Sequence, residues 1–170
     1  MRTVGRPGAP LPLEQAEGVP LLAAGPFDHV GIVVPDLAAA MRAHLTLGPA
    51  ERWTVLPPRT AASPGASRYR DRPGDYASRI AFSPDGFVEL IEPVRGPSVY
   101  HDWIAGRGYG LHHLAVRVAE LAPQTQAMAD AGFAALQSIV GYGPNADGGH
   151  VYFDTADRMG YLLEAVRPPS

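Results

Sequence analysis

The sequence predicts an α+β fold: two βαβββ modules in tandem whose curved mixed sheets form an open, barrel-like cleft. Three observations predict it. The segment DHVGIVVPDL at 28–37 lies over HHLAVRVAEL at 112–121 at a constant offset of 84 positions, the separation of His29 from His113. In each copy a strand leads directly into a helix. Each copy also closes on a strand that carries a glutamate, Glu89 in the first and Glu164 in the second. A fixed period of this kind marks a duplicated structural unit.

Residues 1–25 are rich in Pro and Gly without helical or strand periodicity, and are expected to form an extended arm, disordered or draped over a neighbour. The first module spans 26–96. FDHVGIVV is its opening strand, and after Pro35-Asp36 the residues Leu37, Ala40, Met41 and Leu45 recur at helical spacing up to a stop at Gly48. ERWTVL is a short strand, followed by a long polar loop, PPRTAASPGASRYRDRPGD. YASRIAFS and FVELIE flank a Pro84-Asp85-Gly86 turn and read as a hairpin that Glu92 and Pro93 end at the surface. A connecting helix follows within 97–109, with Ser98 as cap and Tyr100, Trp103 and Ile104 on its buried side. The second module, 110–168, repeats the order. GLHHLAVRV is a strand, LAPQTQAMADAG a helix stopped at Gly132, and FAALQSIV a strand. GYGPNADGG is a loop able to act as a lid, and HVYFDTA and GYLLEAV are the last strands.

Composition excludes several functions. The 170 residues are 46% hydrophobic and 18% charged with net charge −3, ordinary for a soluble globular chain. No Lys/Arg run offers a nucleic-acid surface. No cysteine is present, which removes disulfides, thiolate metal sites, iron–sulfur clusters and a thiol nucleophile. No apolar run is long enough for a signal peptide or a membrane span, so the expectation is a cytoplasmic protein acting on a small molecule, with neither membrane nor nucleic acid as partner. A homodimer, with the arm crossing to a second copy, is left open.

Strand parity groups the chemistry-bearing residues. Val30, Ile32 and Val34 form the helix-packed face of the first strand, so His29 points the other way beside Gly31. Leu114, Val116 and Val118 do the same for the fifth strand, so His113 points away from them beside Ala115, while His112 shares their side as a hydrogen-bonded core residue. Glu89 opposes Val88 and Leu90, and Glu164 opposes Leu163 and Ala165. Two imidazoles and two carboxylates on one concave side suit a divalent zinc, nickel, cobalt, manganese or ferrous ion. His150 and Tyr152 alternate with Val151 and Phe153, which makes them candidates to line the same cavity. The arm supplies no candidate ligand.

DHVGIVVPDL, FVELIEPVRGPSVYHDWIAGRGYGLHHLAVRV and GYLLEAV resemble the vicinal oxygen chelate (glyoxalase) superfamily over roughly residues 27–167, most of all its methylmalonyl-CoA epimerase-like branch. The resemblance implies the glyoxalase fold and a metal held by His29, Glu89, His113 and Glu164, since the family's first-strand His, fourth-strand Glu or Gln, second His of the HH pair and last-strand Glu are its ligands. It further implies metal-assisted proton transfer, of isomerase, epimerase or lyase type, on a small carbonyl substrate, with Glu164 as base. The epimerases carry a second catalytic Glu on the third strand, where YASRIAFS places Arg79. Arginine is no carboxylate base. Methylmalonyl-CoA is therefore expected to be a poor substrate, with Arg79 holding an anionic or carbonyl group of the true one if it faces inward. Two alternatives stand beside this reading. Without Glu89, the set His29, His113 and Glu164 is the donor set of non-heme ferrous oxygenases, including ring-cleaving ones. A non-catalytic drug-binding protein is the other.

Overall fold

The two copies of the repeated segment lie side by side at the centre of one sheet. They are β1 (Ala24–Val33) and β7 (Gly110–Val118), paired antiparallel in this computed structural model, which describes residues 22, 24–48, 50–57 and 66–170. The remaining strands are β2 (Thr54–Val55), β3 (Ala66–Tyr69), β4 (Arg72–Pro73), β5 (Ala77–Phe82), β6 (Val88–Arg95), β8 (Ala135–Tyr142), β9 (Gly148–Phe153) and β10 (Leu162–Arg167). Their order across the ten-stranded sheet is β2-β5-β6-β1-β7-β10-β9-β8-β3-β4. β6 runs parallel to β1, and β10 parallel to β7. Such parallel neighbours need a crossover, and α1 (Leu37–Leu47) and α3 (Leu121–Asp130) begin those crossovers.

Alternation along each strand decides which face the helices cover. Ile32, Val34, Val88, Leu90 and Ala81 pack with Leu37, Ala40 and Met41 of α1. Val116, Val118, Val151, Phe153 and Ala165 pack with Met128 and Leu121 of α3. Both sets share the parity expected from sequence, which leaves the opposite parity of β1, β6, β7 and β10 facing the concave side. A third cluster, containing Val33, Ile91, Tyr100, Trp103, Ile139 and Tyr152, fills one end of that side. It is where α2 (Val99–Arg107) docks, with Val99, Tyr100 and Trp103 buried and the Ser98 hydroxyl accepting from the His101 amide.

α1 starts where Asp36 Oδ1 accepts from the Ala39 amide at 2.7 Å, satisfying an otherwise orphaned donor of the first turn. Asp36→Ala should cost about 1 kcal/mol in urea unfolding, the usual worth of such a cap.

Four expectations need correction. β1 begins at Ala24, inside the proposed arm, and Leu22 is buried in the α3-side core. Residues 1–21 and 23, the rest of the arm, lie outside the described residues. ERWTVL supplies only the two-residue β2, in register with β5 at Thr54 and Val55, with one further hydrogen bond from the Leu56 amide to the Ile80 carbonyl. The long polar loop contains β3 and β4, which cross to the second module and pair with β8 at Ala66–Tyr69. That hairpin is fastened to α2, where Asp102 Oδ2 accepts from the Tyr69 hydroxyl at 2.6 Å and the Arg70 guanidinium at 2.7 Å. Finally, Glu92 does not end a strand at the surface. β6 continues to Arg95, and Glu92 Oε2 accepts from the Leu37 amide at the start of α1. A further helical turn, α4 (Ala156–Met159), joins β9 to β10. Among the described residues no helix is long and apolar enough to cross a membrane.

Candidate metal centre

The central strand pair brings the two histidines together. His29 Nε2 and His113 Nε2 lie 3.1 Å apart, one from each module. Gly31 makes this approach possible: it pairs across the strands with His113, and a Cβ on it would fall on the His113 ring. β6 and β10 add the carboxylates. Glu89 is in register with Gly31, and Glu164 with Ala115, so each module sets its glutamate beside a small residue. Glu89 Oε2 is 3.4 Å from His29 Nε2 and 3.3 Å from His113 Nε2. Glu164 Oε2 is 3.2 Å and 3.1 Å from the same two atoms. The structure thus gathers all four predicted residues, all of them buried.

These distances permit a test of fit. Donor atoms about 2.1 Å from a shared ion sit about 3.0 Å apart along an octahedral edge and about 3.4 Å apart along a tetrahedral one. The five separations among these atoms span 3.1–3.4 Å. Neither Glu89 Oε2 nor Glu164 Oε2, both buried, has a hydrogen-bond partner of ordinary geometry. Two imidazole nitrogens and two carboxylate oxygens aimed at one point, the oxygens otherwise unsatisfied, fit a divalent ion. The tightest three, His29, His113 and Glu164, have donor atoms all within 4.8 Å of one another.

The far ring nitrogens are also held. His29 Nδ1 meets Asp28 Oδ1 at 2.8 Å, and Asp28 in turn accepts from the Arg117 guanidinium. His113 Nδ1 meets His112 Nδ1 at 2.9 Å. Asp28 and Arg117 were not singled out from the sequence. Asp28 precedes His29 in a strand, where parity alone would send the two side chains apart.

The cluster polarises its own members. Burial disfavours an imidazolium at His29, but the Asp28 hydrogen bond and the neighbouring carboxylates of Glu164 and Glu89 outweigh it and push the ring up to about 12. Burial would raise Glu89, yet His113 and His29 hold it down at about 2. Burial likewise opposes ionised Glu164, and His113 and His29 keep it well below the usual carboxylate range. Burial lowers His112 to about 3, so that ring is neutral.

Metal-free protein should therefore have a stability maximum in a narrow window. Glu89, depressed when folded, stabilises fully above its ordinary 4.5 and loses that contribution as pH falls towards 2. His29, raised when folded, stabilises fully below its ordinary 6.5 and loses it as pH rises towards 12. Urea unfolding of chelator-treated protein should be most resistant between about pH 4.5 and 6.5 and weaken on both sides. A bound metal must displace the His29 proton, so its affinity should climb with pH.

A cavity of about 460 Å³ opens over the cluster, lined by Ile80, Phe82 and Tyr100 together with Ile139, His150 and Tyr152. His150 and Tyr152 thus stand where their alternation with Val151 and Phe153 put them. His150 Nδ1 is 3.8 Å from Glu164 Oε1, and the Tyr152 hydroxyl is 3.0 Å from that of Tyr100. Burial raises both phenols well above their ordinary value, so they stay protonated. Arg79 is the exception. Its neighbours Ser78, Ile80 and Phe82 line the cavity, whereas Arg79 shares the parity of Ala81, which packs under α1. Its guanidinium is half-exposed and pairs with Glu92 at 3.1 Å. The expectation that Arg79 faces the substrate is thereby corrected, and the cavity-facing residues of β5 include no carboxylate.

The family model of the Glyoxalase/Bleomycin resistance protein/Dioxygenase superfamily matches residues 28–153. The chain belongs to this superfamily. Solved structures show the same fold. A hypothetical protein from Bacillus halodurans is 18% identical, with a TM-score of 0.57, over 85% of this chain and 95% of that one. Methylmalonyl-CoA epimerase from Mycobacterium tuberculosis is 21% identical, with a TM-score of 0.55, over 91% of this chain and 94% of its own. A variant of Streptomyces coelicolor methylmalonyl-CoA epimerase, solved with 2-nitronate-propionyl-CoA, is 22% identical, with a TM-score of 0.53, over 85% and 97%. No curated protein matches the chain in sequence.

Proposed function

We propose that this superfamily member is a divalent-metal-dependent enzyme that transfers a proton at the carbon beside a carbonyl of a small substrate, as an isomerase, epimerase or lyase. The observation that carries the reading is the convergence of His29 Nε2, His113 Nε2, Glu89 Oε2 and Glu164 Oε2 at 3.1–3.4 Å. These four side chains would hold a zinc, nickel, cobalt, manganese or ferrous ion. When bound, such an ion polarises the substrate carbonyl, which acidifies the adjacent C–H.

Glu164 is the base. Its Oε2 turns to the cluster, while Oε1 lies on the cavity side within 3.8 Å of His150 Nδ1. One carboxylate can thereby serve as ligand through one oxygen and take a proton on the other. His150 stands next to that proton, and the Tyr100–Tyr152 hydroxyl pair donates to substrate oxygen. Ile80, Phe82 and Ile139 exclude water and hold the apolar part of the substrate. With no carboxylate on the cavity face of β5, a single base on one face supports a one-sided proton shift, and methylmalonyl-CoA is a poor substrate. The test is solvent deuterium incorporation into small ketones and hydroxyketones by metal-loaded against chelator-treated protein, with methylmalonyl-CoA epimerisation in parallel. Metal-dependent wash-in supports the reading and equal rates in both preparations overturn it, while rapid epimerisation of methylmalonyl-CoA would overturn the assignment of a single base.

His29, His113 and Glu164, with donor atoms grouped within 4.8 Å of one another, are also the donor set of a second reading, a ferrous oxygenase in which Glu89 does not ligate. Oxygen uptake that requires iron and a catechol would decide for it.

A further inference from the structure

His112 has no place in the chemistry above, yet it is wholly buried and directly joined to a ligand of the cluster. It packs between α2 and the sheet, its ring 5.0 Å from Tyr100 and 5.3 Å from Trp103. Neighbours on a strand ordinarily point to opposite faces. Here the two rings instead meet through their Nδ1 atoms at 2.9 Å, nearly perpendicular to one another.

A nitrogen pair at that distance shares one proton: two lone pairs or two N–H groups would repel. Only two arrangements of neutral rings satisfy it. If His112 donates, His113 must carry its own proton on Nε2, aimed at His29 and the two glutamates, and that nitrogen has no lone pair for a metal. If His113 donates from Nδ1, its Nε2 is bare and His112 carries its proton on Nε2. Phenol and indole rings from α2 surround His112 and enclose the pair away from water.

We propose that His112 is a positioning residue for the metal centre: by accepting the Nδ1–H of His113, it fixes the tautomer and ring angle that present His113 Nε2 to the ion. Asp28 performs the equivalent task for His29, at 2.8 Å from Nδ1. The two modules thus reach one result with different partners, a carboxylate at the rim and an imidazole in the core. The inference rests on the metal-dependent reading, and partners of ligating histidines of this kind are worth about ten- to hundredfold in metal affinity.

The experiment compares zinc affinity, by chelator competition, of the wild type, His112→Phe and His112→Asn. Phenylalanine fills the space without an acceptor; the asparagine carboxamide oxygen restores one. His112→Phe should bind zinc about ten- to hundredfold more weakly, and His112→Asn should recover part of the loss although it packs worse. A purely structural His112 would give the reverse order, with Asn the weaker, or affinities all within about twofold, and either result overturns the proposal. Nitrogen-15 spectra of the zinc-loaded wild type supply a test that needs no variant to fold. His112 must carry its proton on Nε2 and His113 on Nδ1, and a proton on His112 Nδ1 contradicts the assignment. Wild-type protein that binds no zinc or other divalent ion would overturn the metal reading itself, a failure distinct from retained affinity in His112→Phe.

Discussion

Gly31→Ala should weaken metal binding about a hundredfold or more while leaving every ligand in the sequence. The His113 ring lies where a Gly31 Cβ would be, and the two residues are directly paired across β1 and β7. The neighbour is a ring already fixed at both nitrogens, so relief requires His113 to swing away from His29 and both glutamates. Structural zinc sites gain about 10–16 kcal/mol from four ligands, so losing one costs about 3 kcal/mol, or about a hundredfold. Chelator competition measures this, and circular dichroism shows whether the sheet is intact. A folded Gly31→Ala protein with wild-type affinity would mean that His113 is not a ligand.

Glu164→Gln should remove substrate proton exchange by about 10²- to 10⁴-fold, the usual worth of a general base, and keep its metal. The amide oxygen can still face the cluster in place of Oε2, but neither amide atom takes a proton near neutral pH. Metal content and deuterium wash-in, measured on the same sample, separate the two roles of this side chain. Undiminished exchange in a metal-loaded Glu164→Gln protein would move the base elsewhere.

The central constellation was legible because its determinants are local. A period-two alternation separates His29 from Val30, Glu89 from Val88 and Leu90, and Glu164 from Leu163, and the 84-residue repeat places the two halves in equivalent strands. β5 was less legible because apolar residues occupy both its faces: Ala81 packs under α1 while Ile80 and Phe82 line the cavity. Alternation there could not tell which side Arg79 takes, and its pairing with Glu92 is visible only once β5 and β6 are in register. The β3–β4 hairpin was hidden for another reason. It is short, polar and paired with β8 some seventy positions away, a contact without local periodicity, pinned by Asp102 on α2. Asp28 was missed because strand parity describes where a side chain leaves the backbone, not where its carboxylate bends to meet the next ring.

Anomalous diffraction from crystals of protein purified without chelators, collected above and below the absorption edge of the metal found by elemental analysis, tests the central claim most directly. The account predicts one peak per chain, about 2.0–2.3 Å from His29 Nε2, His113 Nε2 and the facing oxygens of Glu89 and Glu164. A well-ordered cluster without a peak, even after soaking with zinc, nickel, cobalt, manganese and ferrous ions in turn, would contradict it, as would a peak held by other residues.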